Sequence, residues 1–172
     1  SGGPGNHEHA DRNSLIFTAH GERLLHDPYH AAYARTEPRW LLRQTEAHTA
    51  VLIDGKGHQY HDGAEGTNAS WAVARVTAFA TGPNWMRVTS DATEAYSLVD
   101  ARVTRAERTV VFLKPEVFVI LDRVALTGTP ATVQLRFQVN NEDGKGQVAV
   151  VGDGFEITRP QATLRARCSA GL

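Results

Sequence analysis

Three side chains able to bind a metal or carry a proton stand at alternate positions near the start of the chain. They are His7, His9 and Asp11, within Asn6-His7-Glu8-His9-Ala10-Asp11. In an extended segment, alternate residues point to one face at roughly 7 Å steps. Two imidazoles and a carboxylate on one side suit a divalent cation such as zinc, which takes N, O and S donors. They also suit proton transfer near neutral pH, where histidine titrates. Polar groups placed so densely need partners if buried, so the row marks the edge of a site. The plainer alternative is a solvated polar strand near a terminus.

The elements that must position this row are strands. Residues 14–19 read as the first, followed by a turn at Gly21-Glu22. Arg23-Leu24-Leu25 then leads to His26-Asp27-Pro28, where proline favours a turn. Residues 29–44 carry Tyr29, His30, Tyr33 and Trp40 among arginines without a regular period. This is expected to be a long binding loop with a short helix around Trp40-Leu41-Leu42. Residues 48–53 read as a strand closing at Asp54-Gly55, and a polar loop from Gly57 to Gly66 contains Gln59 and His61. Beyond it, strands are expected at 70–80, 85–89, 101–113, 117–126, 132–139, 147–151, 155–158 and 162–167. Lys114-Pro115-Glu116 predicts a hairpin with proline in a type I turn, and Asp153-Gly154 predicts another. Many short β runs without an intervening helical period indicate an all-β, antiparallel β-sandwich.

Bulk properties narrow the function. A chain of 172 residues suits one domain with a single sizeable core. A net charge of −1 offers no global field for nucleic acid or an anionic membrane. The lone Cys168 excludes an internal disulfide and zinc-ribbon spacing. No apolar run is long enough to span a bilayer, and no targeting signal is evident. All eight histidines lie within the first 61 residues. The front is therefore expected to carry the chemistry and the back to be scaffold. The chain opens on Ser1-Gly2-Gly3-Pro4-Gly5 just before its most chemical segment, which predicts a preceding domain.

Two kinds of ligand set are open. A local set would use His7, His9 and Asp11. The HxHxDH opening of metallo-β-lactamase-like hydrolases is excluded, because Arg12 stands where its last histidine belongs and the chain lacks that αβ layering. A distributed set would draw one ligand from each of several segments. Spacing alone does not choose among His9, His20, His26, Asp27, His30 and His48.

Several stretches resemble the C-terminal β-sandwich domain of heparinase II/III-like polysaccharide lyases. They are Asn6-His7-Glu8-His9-Ala10-Asp11-Arg12-Asn13-Ser14, Gly21-Glu22-Arg23-Leu24-Leu25-His26-Asp27 and Ala47-His48-Thr49-Ala50-Val51-Leu52-Ile53-Asp54-Gly55. Arg108-Thr109-Val110-Val111-Phe112-Leu113-Lys114-Pro115 and Val119-Ile120-Leu121-Asp122-Arg123 extend the likeness. The resemblance implies a metal, usually zinc and chiefly structural here, on His9, Asp27 and His48. It puts the catalytic histidine at His7 and its neighbouring asparagine at Asn6. Thr49 departs from the asparagine common after the third ligand, which alters the hydrogen bonding behind the metal.

The resemblance further implies β-elimination on a uronate-containing glycan, a periplasmic or secreted setting, and an N-terminal α/α toroid that completes the active site. Tyr29 and Tyr33 are candidates to stack on sugar rings, and Arg43 to pair with a uronate carboxylate. Gln59 and His61 are candidates for the same groove. Residues 1–61 hold six Lys or Arg against seven Asp or Glu. That balance favours a weakly charged uronate polymer such as alginate or a bacterial exopolysaccharide over sulfated heparin. The competing expectation is a non-catalytic glycan-binding or structural sandwich whose metal stabilises the fold.

Overall fold

The structure is a computed structural model that describes residues 8–28, 30–34, 36–58 and 72–169. Its strands are β1 (Phe17–Ala19), β2 (Glu22–Leu25), β3 (Val51–Ile53), β4 (Arg75–Gly82), β5 (Trp85–Asp91), β6 (Val103–Leu113), β7 (Val117–Leu126), β8 (Val133–Leu135), β9 (Gln147–Val151), β10 (Gly154–Thr158) and β11 (Thr163–Arg167). One short α-helix, α1 (Thr93–Ser97), and 3₁₀ turns at Pro38–Arg43 and Thr45–Ala47 interrupt them. The pairings are antiparallel, in sheets ordered β1-β2, β3-β8, β4-β5-β6-β7 and β11-β10-β9. The architecture is the all-β, antiparallel sandwich expected from the sequence.

Alternation decides which way the long strands face. In β6, Ala106, Arg108 and Val110 share one face, and in β7 the matching positions are Ile120, Asp122 and Val124. That face packs inward. One core gathers Val51, Ile53, Ala72, Ala74, Ala92, Ala95, Tyr96, Val103 and Ala106. A second is built on Leu24, Leu25, Ile157 and Ala162, with Phe17, Phe137 and Phe155 against them. A sequence of this length suggested a single core; the chain builds two modest ones, the first of them rich in alanine.

Several local expectations need adjusting. The strand expected over 48–53 is confined to Val51–Ile53, because His48 and Ala50 bend through a short backbone bond (Ala50 N–H to His48 C=O, 3.0 Å). Residues 132–139 pair as a ladder only over Val133–Leu135, with one further bridge between Val139 and Leu25. The 113–117 hairpin is present, with Leu113 paired to Val117 around Lys114-Pro115-Glu116 and a cis Lys114–Pro115 peptide. The β9–β10 turn centres on Gly152-Asp153, one residue before the expected pair, because Gly152 supplies the positive φ (58°) that a two-residue hairpin needs. Asp54-Gly55 does form its two-residue turn, with φ of 49° and 73°. Strand β2 and helix α1 were not foreseen. At five residues α1 is too short for a period to register, and it starts where the Asp91 carboxylate accepts from the Thr93 N–H at 2.8 Å.

Two buried polar groups join these layers. Tyr96 donates its hydroxyl to the Val51 carbonyl at 2.6 Å, fixing α1 to β3, and burial pushes that phenol well up from its ordinary range. Arg108, only 4% exposed, forms a fork with Asp122 across β6 and β7, at 2.7 and 2.9 Å. Its second arm donates to the carbonyls of Asn13 (2.7 Å) and Thr49 (2.6 Å). An arginine left without its carboxylate at such a site is an uncompensated buried charge. Replacing Asp122 with leucine is therefore expected to lower the unfolding free energy by about 3–5 kcal/mol in urea titrations. A loss below about 1 kcal/mol would show that Arg108 finds compensation elsewhere.

Candidate metal centre

His9, Asp27 and His48 converge. Each offers one ligand atom, and those atoms all lie within 4.8 Å of one another, the one such trio among the described residues. His48 Nδ1 is 3.3 Å from Asp27 Oδ1, and the rings of His9 and His48 are 5.4 Å apart between centroids. Ligands at about 2.0–2.1 Å from a tetrahedral zinc are separated by roughly 3.3–3.4 Å. The trio thus needs only slight closure to hold an ion.

His48 supplies the independent physical reason to expect a cation. Its side chain is fully buried; Nδ1 faces only the Asp27 carboxylate at 3.3 Å, and Nε2 has no hydrogen-bond partner among the described residues. Buried polar atoms left unpaired are costly, and a metal would satisfy one of them. The surroundings favour the protonation states that ligation requires. Burial lowers the His9 pKa from its ordinary 6.5, assisted by the nearby His48, so the imidazole stays neutral. Burial alone would raise the Asp27 carboxyl, but the adjacent His48, with His9 and His26 further off, holds it below its usual value. The residues present fit a zinc-type divalent ion.

Each ligand sits just outside a regular element and is fixed through its neighbours. Asp27 follows β2, and the preceding His26 N–H donates to the Gln138 carbonyl at 2.9 Å. His48 precedes β3, and the following Thr49 hydroxyl oxygen accepts the Gln138 N–H at 3.0 Å. One peptide residue on the stretch after β8 therefore pins the flanks of two ligands. The asparagine expected after the third ligand is replaced here by a threonine with that specific task. The His9 segment is held from the other side: Ala10 N–H donates to the Arg43 carbonyl at 2.7 Å. Buried Arg12 donates to Ala72 (3.2 Å) and Asp11 (2.9 Å) and pairs with Glu8, while its own N–H donates to His58 Nε2 at 2.9 Å.

The expected row of alternate side chains is resolved differently. Asp11 is not part of the converging group: its carboxylate pairs with Arg12 at 2.9 Å, and a turn follows it (Ser14 N–H to Asp11 C=O, 2.8 Å). His7, Asn6, Tyr29, Gln59 and His61 lie outside the described residues. Tyr33 is 45% exposed, and the Arg43 guanidinium lies 4.7 Å from its ring centroid. Arg43 itself is buried, donating to the carbonyls of Ala32 and Glu8. Thr49 was singled out by sequence as altering the hydrogen bonding behind the metal, whereas Arg12, Arg108 and Gln138 were not; of these only the inward register of Arg108 and Asp122 carried a readable signal.

Fold and site together define a β-sandwich with a His-Asp-His group at the mouth of its first strands. The family model for the heparinase II/III-like C-terminal domain matches residues 1–170. The chain belongs to that family, whose members are polysaccharide lyases. A search of curated proteins returns no match.

Two outcomes follow. Thr49→Val keeps the side-chain shape but strands the Gln138 N–H, and is expected to cost about 1–3 kcal/mol of stability and about 10–100-fold in zinc affinity. Unchanged zinc affinity by chelator competition would remove Thr49 from the support of the centre. Without metal, the depressed His9 pKa means that the unfolded state binds more protons below pH 6.5. The contribution of His9 is thus fully present above 6.5 and lost as pH falls through its folded value. Denaturation of the metal-free protein from pH 7.5 to 5 is expected to show this loss, and His9→Gln to flatten it.

Proposed function

We propose that this chain is the metal-bearing sandwich of a lyase that cleaves uronate-containing glycans by β-elimination. The convergence of His9, Asp27 and His48 at one end of the fold carries this reading. In it, zinc or a similar divalent ion ties three segments together and supplies fixed positive charge near the site. The ion is chiefly structural.

The reaction removes the proton α to the uronate carboxylate, forms the carbon–carbon double bond and expels the glycosidic oxygen from the adjacent carbon. The acidity of that proton is the obstacle. Donors that stabilise the enolate-like intermediate contribute several kcal/mol, and a placed proton carrier adds roughly 10²–10⁴-fold. His7 is assigned that role as base or carboxylate partner, with Asn6 beside it. The odd-numbered His9, two residues on, belongs to the metal, so one segment serves both tasks. Tyr29 and Tyr33 are proposed to contact sugar rings. Arg43, expected from the sequence to pair with a uronate carboxylate, is buried and donates to main-chain carbonyls instead.

A helical domain N-terminal to the sandwich is proposed to supply the remaining catalytic groups, with the whole protein acting in the periplasm or outside the cell. No helix among the described residues is long and apolar enough to cross a membrane. The weakly charged front of the chain favours alginate-like or exopolysaccharide substrates.

Incubated with uronate polymers, the intact protein is expected to release unsaturated ends that absorb in the ultraviolet. His7→Ala is expected to abolish this signal while leaving bound zinc stoichiometric. Equal loss of zinc would make His7 a ligand. Glycan binding without ultraviolet-absorbing product would leave a non-catalytic binding sandwich.

A further inference from the structure

We infer that Arg43 is a positioning residue of the metal centre, acting through the His9 segment rather than on the glycan. The inference rests on the metal-centre reading above. Arg43 grips that segment on both sides of His9: its carbonyl accepts the Ala10 N–H at 2.7 Å, and its Nη1 donates to the Glu8 carbonyl at 3.3 Å. Its Nε donates to the Ala32 carbonyl at 2.6 Å, in the stretch that follows Asp27. Its own place, in the 3₁₀ turn Pro38–Arg43, is one short turn before His48. A single residue therefore joins the three segments that carry the ligands.

The chemistry of the side chain explains why arginine stands there. Its planar fork presents five donors in fixed, diverging directions, whereas lysine offers a point charge on a flexible stem. The fork holds two main-chain carbonyls on separate segments in fixed directions, which the freely rotating donors of a lysine do not. The face of Tyr33, 4.7 Å from the guanidinium carbon, covers one side of it. At 2% exposure the guanidinium is turned away from solvent, where a polymer would approach. A uronate carboxylate would have to displace bonds that hold the centre together.

The test compares the intact wild-type protein with Arg43→Lys, Arg43→Gln and Tyr33→Leu, each checked for native circular dichroism. Zinc affinity is read by competition with a chromophoric chelator, and ligand geometry by the visible spectrum of the cobalt(II)-substituted protein. Both Arg43 variants are expected to bind zinc about 10–100-fold more weakly and to shift the cobalt bands, lysine failing to rescue. When saturated with metal they are expected to keep the wild-type KM for the polymer. A raised KM with unchanged zinc affinity would overturn the inference and return Arg43 to the substrate. If the Arg43 variants do not fold, half-exposed Tyr33→Leu decides: weaker zinc binding supports the inference, and wild-type affinity overturns it. Wild-type protein that binds no zinc would remove the metal-centre reading itself, an outcome distinct from equal binding by all variants.

Discussion

The buried fork between Arg108 and Asp122 is the constraint on which the rest of this structure depends. Ion pairs removed from water rarely stabilise a fold in net terms, since desolvation offsets most of the attraction. Their value lies in what the geometry forbids. Arg108 is fixed in the middle of the longest hairpin by two bonds to Asp122, and its remaining donors reach the carbonyls of Asn13 and Thr49. Those carbonyls belong to the segment after His9 and to the residue after His48. The four-stranded sheet thereby dictates where two of the three ligand segments may lie.

That dictation matters because none of the three candidate ligands sits within a strand. His9 lies in a loop, Asp27 just past β2 and His48 just before β3. Ladder hydrogen bonds hold strand residues without help from side chains, whereas loop residues need individual anchors. Here the anchors are polar: from distant parts of the chain, Gln138 for the flanks of Asp27 and His48 and Arg43 for the flanks of His9, and from nearby, Arg12 on the His9 carbonyl. The surrounding shell is thus nearly as specified as the ligands themselves.

Much of this was legible in the sequence, and the limits have physical causes. Strands β7 and β9 were readable to the residue because long alternating or β-branched runs end at strong turn signals. The short strands were blurred, since three residues carry too little period to mark an end. Spacing left the ligand set open among six side chains; the likeness to a known family selected His9, Asp27 and His48, and the fold brings that trio together. The Arg108–Asp122 pair was readable in principle. Both residues lie seven positions from Pro115, at the centre of the hairpin, so pairing them needs only the turn and the inward register. Gln138 was not readable, because it acts through its main chain and any residue but proline offers the same N–H and carbonyl. Arg43 was read for its charge, whereas its burial, which only the fold supplies, turns its donors toward the backbone.

The two cores give the metal centre a second meaning. Asp27 extends from β2, whose Leu24 and Leu25 belong to one core, and His48 leads into β3, whose Val51 and Ile53 belong to the other. An ion held between them would be a cross-link between the two cores. Ligands that bind only the native state stabilise it by mass action, about 2.7 kcal/mol at a hundredfold excess over Kd. That amount is large against the modest apolar burial of an alanine-rich core, where each side chain offers little area to the hydrophobic effect. A cation placed here would therefore act on the packing of both halves. On the proposed reading, metal binding and fold stability become parts of one equilibrium, which accounts for candidate ligands drawn from both cores rather than from a single hairpin.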